Sequence, residues 1–373
     1  MTTAVIRALG ALAHGAAHAH APAGCDCPPP VVLADRPDGT VVRSGPVVAK
    51  AHAPGTDTAA LAVRLLLAAR PGLADVLLAP LPVGRVRDVP TPSARTTGLR
   101  GHDPAPPTAP VRAATPSAAP SPYLTELHGR PVTLWPHGEP VDPADPDAAP
   151  WEEAAVLLAR LHSTELPASA PVRERPPGSA AGWSRGLPVM RGPAKAALAV
   201  DRMCGASPGH PSVAPVLTAW RRLPAWARDE APAPAHRSRF LCHGDLHLGQ
   251  LVRYPAPRGH WLLIDVDDAG IGDATWDLAR PAAWYAAGLL PPDVWFRFLD
   301  AYRAAGGPAL SAEGDPWPEL DVAARALTVQ TAALALAKSA AEARDPDEVE
   351  QMMIEACARI AALPPELAAE HAS

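Results

Sequence analysis

The string His243-Gly244-Asp245-Leu246-His247-Leu248-Gly249-Gln250, followed by Ile264-Asp265-Val266-Asp267, constrains this chain more than any other stretch. Phe240-Leu241-Cys242 leads into it. Behind it, Leu251-Val252-Arg253-Tyr254 and Trp261-Leu262-Leu263-Ile264 read as a hairpin joined through Pro255-Ala256-Pro257-Arg258-Gly259. One loop plus one hairpin accounts for the twenty residues from Asp245 to Asp265. An aspartate, a glutamine five residues on, and a second aspartate at a strand end form a kinase-type layout. In it the Asp245 carboxylate faces an acceptor hydroxyl. The amide oxygen of Gln250 and the Asp265 carboxylate hold Mg²⁺, a hard ion that takes oxygen ligands, on ATP phosphates. Phosphoryl transfer asks a protein for alignment and charge neutralisation more than for covalent chemistry. Asp245 is therefore expected to orient the hydroxyl and to take its proton late.

Lysine is scarce. Of 33 Lys and Arg only three are lysines: Lys50, Lys195 and Lys338. Lys50 lies in the strand-like run Val47-Val48-Ala49-Lys50-Ala51-His52, where kinases place a lysine to reach the α- and β-phosphates. A compact ammonium on a flexible stem suits that role in ways a guanidinium does not. The plain alternative is an exposed lysine at a strand end.

With 373 residues and 48% hydrophobic residues the chain has ample core for a large two-lobed domain or two domains. A net charge of −6 argues against nucleic acid as a partner. No unbroken apolar run reaches the roughly 18 residues of a membrane span. The apolar stretch at the N-terminus is interrupted by His14, His18 and His20, a poor secretory signal. Five cysteines without framework spacing fit a reducing cytoplasm. Cys25 and Cys27 follow those histidines, but their Cys-x-Cys spacing and Ala/Pro setting argue against a metal site, so the segment reads as a mobile tail.

Along the chain, residues 1–30 read as a flexible leader and 31–138 as a nucleotide-binding lobe. Within that lobe a hairpin turns at Asp38-Gly39-Thr40, and the Lys50 strand follows. Thr56 is a candidate cap for a helix over about 57–70, and Leu77-Leu78-Ala79 for a further strand. Residues 84–122, rich in Pro, Ala, Thr and Ser, read as a long loop. Tyr123–Leu127 and Val132–Pro136 form strands around a turn at Gly129. Residues 139–373 form a helical lobe that carries the catalytic loop and the acceptor site. Its helices are expected at 151–162, about 211–228, 275–304, 317–343 and 346–371, while the Pro- and Gly-rich run 166–208 resists placement. Strands early and helices late give an α+β fold. Residues 281–373 carry 14 Asp and Glu against six Lys and Arg, which suits either a cationic acceptor or a merely solvated acidic surface.

The motif resembles that of the aminoglycoside phosphotransferase family of small-molecule kinases, which carries His-Gly-Asp-x-His-x-x-Asn and then Asp-x-Asp. The whole string with Gln250 is similar to that of the maltokinase branch. The resemblance is strong over 240–282 and looser over the rest of 31–345. It implies a protein-kinase-like two-lobed fold and a Mg²⁺-dependent transfer of the γ-phosphoryl of ATP or GTP to a small-molecule hydroxyl. In it the backbone near Leu134 and Trp135 faces the nucleotide base, Asp267 stands beside a second metal ion, and His243 and His247 support the catalytic loop. Gly272-Asp273-Ala274-Thr275-Trp276-Asp277-Leu278-Ala279 is similar to the family's closing motif, in which Asp277 accepts bonds from backbone N–H groups of that loop. Three features depart from the pattern. No Gly-x-Gly-x-x-Gly string lies near residues 33–45, the helix over 57–70 offers Lys50 no Glu, and Gln250 replaces Asn.

Two rival readings stay open. One is a kinase-like protein that binds nucleotide or ligand without turnover, favoured by the missing glycine loop and helix Glu. The other is a metal-dependent hydrolase using His243, Asp245, His247, Asp265 and Asp267, which leaves Gln250 and Lys50 without a use.

Overall fold

A computed structural model describes residues 2–18, 27–36, 38–83, 121–166, 186–237 and 239–363. The expected loop at 84–122 falls almost wholly outside these residues. The chain divides into two compact units, residues 1–56 with 80–136 and residues 57–79 with 137–373.

The first unit is a helix on an antiparallel sheet. Strands β1 (Val31–Arg36), β2 (Gly39–Ser44), β3 (Val47–His52), β4 (Thr125–Leu127) and β5 (Arg130–Pro136) lie in the order β1-β2-β3-β5-β4. Burial alternates along β2 and β3, as a sheet with one covered face requires. The cover is α1 (Thr2–Ala17), which occupies the stretch read as a flexible leader. Val5, Leu9 and Ala13 recur every fourth residue, share one face, and pack on Val42, Val47, Ala49, Ala51, Val132 and Leu134. The helix comes so close to the chain entering β1 that a side-chain carbon at Gly10 would lie 2.9 Å from Pro30. Arg130 ties the sheet together, donating to the carbonyls of His52 (2.7 Å) and Ala51 (3.1 Å) and to Thr40 Oγ1 (3.1 Å).

The second unit begins with α2 (Thr58–Ala68). Asp57, not Thr56, caps it, its Oδ1 accepting from the N–H groups of Ala59 and Ala60. Leu77 makes an isolated bridge to Leu263 in place of the expected strand. Two small sheets follow: β6 (Glu139–Pro140), β8 (Leu251–Tyr254) and β9 (His260–Leu263) in the order β6-β8-β9, and β7 (Phe240–Cys242) against β10 (Gly270–Gly272). The expected hairpin over 251–263 is present as β8 and β9, with Leu251 opposite Leu263.

The helices are α3 (Trp151–His162), α4 (Gly192–Ala206), α5 (Val213–Arg221), α6 (Thr275–Ala287), α7 (Pro292–Ala304), α8 (Trp317–Glu342) and α9 (Glu348–Ala362). The helix expected over 211–228 stops at Arg221, because Pro224 lacks the N–H that would bond the Trp220 carbonyl, and a 3₁₀ turn over Ala225–Arg228 follows. The one expected over 275–304 is two helices. Gly288 closes α6 at φ +85°, and Pro291 and Pro292 open α7. The run that resisted placement supplies α4. Helix α8, long and apolar enough to cross a membrane, has 72% of its most apolar window buried and packs among α4, α6 and α9.

The packing of α1 sets a first test. Leu9 is wholly buried, so Leu9→Ala is expected to cost about 2–5 kcal/mol in a urea or thermal melt. Unchanged stability would mean that α1 does not cover the sheet.

Candidate active site

The loop after β7 is shaped by its backbone. Gly244 sits at φ +85°, and a side-chain carbon there would lie 2.5 Å from the carbonyl oxygen of Asp268, so only glycine fits. In this conformation two successive N–H groups point at α6. The His243 N–H donates to Asp277 Oδ2 (2.6 Å) and the Gly244 N–H to Oδ1 (2.7 Å). A third donor, His162 Nε2 on α3, reaches Asp277 Oδ2 at 3.0 Å. Behind it the Tyr302 hydroxyl lies 2.8 Å from His162 Nδ1 and accepts the Ala309 N–H at 3.1 Å. Burial pushes the Asp277 carboxyl up, but the bonds from His162 and the His243 backbone outweigh it and hold it below its ordinary value. Burial raises the tyrosine hydroxyl, which stays protonated.

His243 donates from Nε2 to the Ile264 carbonyl at 2.7 Å, which fixes the tautomer because a carbonyl can only accept. Its Nδ1 is buried without a hydrogen-bond partner among the described residues. His247 accepts the Gly249 N–H at Nδ1 (3.1 Å). Burial and the Arg280 cation lower its pKa to about 4, so it is neutral at pH 7. Each ring thus uses one nitrogen to shape the loop.

Asp245, half-buried on the loop, is held between two cations. Lys195 Nζ lies 2.7 Å from Oδ2, and Arg280 Nη2 donates to Oδ1 at 2.8 Å. Arg280 also donates to the Leu246 carbonyl at 2.9 Å. Burial would raise the Asp245 carboxyl, but Lys195 and Arg280 overcome that and lower its pKa to about 2. Burial would lower the Lys195 ammonium, but Asp268 and Asp245 raise it instead. Lys195 reaches the site because residues 188–191 run beside β10. Ile271 N–H donates to the Pro188 carbonyl (2.9 Å), Met190 N–H to the Ile271 carbonyl (2.9 Å), and Arg191 N–H to the Asp268 carbonyl (3.1 Å). Asp268 then binds Lys195 at 2.7 Å and Arg191 at 3.3 Å. Arg64 of α2 donates to the Ala269 carbonyl at 2.7 Å, fixing the same segment from its other side.

Lys195, Arg280 and Asp268 were not among the residues the sequence singled out for the site. Arg280 had a signal: it stands one helical turn after Asp277. Lys195 had only its scarcity.

Gln250 is buried at the end of a 3₁₀ turn, and its backbone carbonyl accepts the Ile264 N–H at 2.9 Å. That bond brings the backbone of Gln250 beside the residue preceding Asp265. Asp265 adopts φ +62°, an uncommon conformation for a non-glycine residue, and opens a 3₁₀ turn over Val266–Asp268 that contains Asp267. The buried amide of Gln250 and the half-buried carboxylates of Asp265 and Asp267 offer hard oxygen donors of the kind Mg²⁺ accepts. In the first unit, Lys50 sits mid-strand opposite Val41 and Thr133. The Leu134 carbonyl already accepts the Leu81 N–H at 2.8 Å, and buried Trp135 donates from Nε1 to Thr133 Oγ1 at 2.9 Å.

The chain matches the model of the phosphotransferase enzyme family over residues 44–322. No curated protein matches it by sequence. Among solved structures, the choline kinase of Cryptosporidium parvum Iowa II is similar with a TM-score of 0.51 at 10% identity, covering 96% of this chain and 95% of that one. The GDP complex of a point mutant of aminoglycoside 2′-phosphotransferase IIIa gives 0.50 at 14% identity, over 94% of this chain and 95% of that one. These likenesses establish a kinase-like α+β fold.

The Asp277 cluster sets a second test. Asp277→Asn keeps the shape but removes the charge that three donors face, and is expected to destabilise by about 3–5 kcal/mol in urea unfolding at pH 7. The folded pKa of Asp277 is depressed, so its contribution is present above the unfolded value near 3.9 and is lost as pH falls below it. The variant's deficit should therefore shrink on acidification. A deficit that stays constant from pH 7 to pH 3 would show that the carboxylate charge is not what holds the loop.

Proposed function

Because the chain belongs to the phosphotransferase enzyme family, we propose that it transfers the γ-phosphoryl group of ATP or GTP to a hydroxyl of a small molecule. The observation that carries this reading is the state of Asp245: an ionised carboxylate held on both oxygens, on a loop whose following residues lead to Gln250 and then Asp265. In this reading the acceptor hydroxyl donates a hydrogen bond to Asp245. Its oxygen then bonds to the γ-phosphorus as the bond from phosphorus to the bridging oxygen breaks, and the nucleoside diphosphate leaves. The proton passes to Asp245. A carboxylate with a pKa of about 2 is a weak base, so it orients the hydroxyl in the ground state and accepts the proton only once the new bond has made that proton acidic. Lys195 and Arg280 hold the carboxylate in place and lend positive charge where the transferred group passes.

Gln250 and Asp265 would hold Mg²⁺, and Asp267 a second ion. When bound, the metal neutralises phosphate charge. Lys50 is assigned to the α- and β-phosphates, with the end of β5 at Leu134 and Trp135 assigned to the base. Because the Leu134 carbonyl is engaged by Leu81, the base contact in this reading falls at Trp135 or beyond.

A panel of sugars, aminoglycosides, amino alcohols and nucleosides tests the reading through acceptor-dependent release of ADP or GDP. At least one acceptor is expected to support turnover. With it, Asp245→Asn should lose at least about 100-fold in kcat while still binding nucleotide, and Lys50→Ala should weaken nucleotide binding. Turnover of Asp245→Asn within tenfold of wild type would remove Asp245 from the role. Nucleotide binding without turnover across the panel would favour a kinase-like binding protein.

A further inference from the structure

The first unit carries a second group of chemically active side chains, none of which the transfer reaction uses. His14 lies in the last turn of α1 and His18 just past its end, where the His18 N–H donates to the His14 carbonyl at 3.1 Å and keeps the two rings on one side. Their ring centroids are 4.6 Å apart. Nine residues after His18, the chain brings Cys27 Sγ to 3.0 Å from His18 Nε2. One donor atom from each of the three residues lies within 4.8 Å of the others, and all three residues are half-buried. The Ser44 hydroxyl at the end of β2 lies 3.5 Å from His14 Nδ1. The mobile tail expected from the sequence is thus, at Cys27, chain folded back onto the end of α1.

We propose that His14, His18 and Cys27 form a binding site for zinc. Two imidazole nitrogens and a thiolate sulfur are borderline-to-soft donors, which favour Zn²⁺ over the Mg²⁺ that the carboxylates of the second unit would take. Tetrahedral zinc with bonds of about 2.0–2.3 Å needs its donors about 3.3–3.7 Å apart, a spacing small side-chain rotations reach from the observed one. Histidines at i and i+4 of a helix are a spacing that lets two rings meet one ion. Both lie at the C-terminal end of α1, where the helix dipole favours a cation. Binding displaces the thiol proton of Cys27 and leaves a fourth position for water or another donor. Another His/Cys/carboxylate trio among the described residues, His162, Cys242 and Asp277, belongs to the hydrogen bonds that fix the catalytic loop. Zinc at the proposed site would pin the end of α1 to the chain entering β1, stabilising the packing of helix on sheet.

The test uses the full chain, reduced and stripped with a chelator. Zinc titrated against a chromophoric chelator is expected to bind stoichiometrically, to raise the thermal midpoint, and to resist excess Mg²⁺. Cobalt in its place should give a thiolate-to-metal charge-transfer band. Cys27→Ser should lose the band, and His14→Ala and His18→Ala should weaken binding at least about 100-fold, with circular dichroism showing each variant folded. Cys25→Ser should keep the band. Zinc affinity unchanged in folded His14→Ala and His18→Ala, or a band that survives Cys27→Ser and disappears in Cys25→Ser, would overturn the assignment.

Discussion

Two residues one turn apart on α6, Asp277 and Arg280, hold the loop that carries Asp245. Asp277 takes the two N–H groups that the positive φ of Gly244 directs towards it, and Arg280 takes the carbonyl of Leu246 and one oxygen of Asp245. The grip works because α6 is anchored from behind. His162 of α3 donates to a buried carboxylate that would otherwise be costly to ionise, and Tyr302 of α7 holds the other nitrogen of that ring. Remove the anion and two backbone donors lose their partner in a site without water access. Replace Gly244 and the N–H groups no longer converge. The loop, the helix and the core behind it therefore form one unit, and the chemistry sits on its outer edge.

Charge passes outward from that edge in alternation. Arg280 and Lys195 flank Asp245, Asp268 lies beyond Lys195, and Arg191 beyond Asp268. Each partly buried ion has opposite neighbours, so the desolvation of each is offset. The result for Asp245 is a carboxylate that stays ionised, is fixed in direction, and is weakly basic. Those properties suit a reaction whose barrier is lowered by alignment rather than by early removal of a proton. The same segment that holds Asp268 is fixed by Arg64 from α2 and by the backbone of residues 188–191, so two distant stretches of sequence converge on it.

The sequence made legible what is local. The loop, the hairpin and the return to Asp265 follow from residue spacing, and Asp277 was found by its motif. What is built from distant pairing was not legible. Lys195 lies in a Pro- and Gly-rich stretch without periodicity, and it comes beside Asp245 only because residues 188–190 bridge to β10. Helix α1 was missed although Val5, Leu9 and Ala13 repeat at helical spacing, because alanines and histidines around them dilute the stripe. A single apolar pattern over 275–304 hid the break at Gly288, where a glycine and two prolines were the available signal.

Two cations hold Asp245 ionised in a fixed direction. A carboxyl-carbon NMR titration of Asp245 measures this directly. The expected pKa is about 2 in the wild type, rising towards the ordinary value near 3.9 in Arg280→Ala and in Lys195→Ala. An Asp245 that titrates near 3.9 in the wild type, or that does not move in either variant, would contradict it.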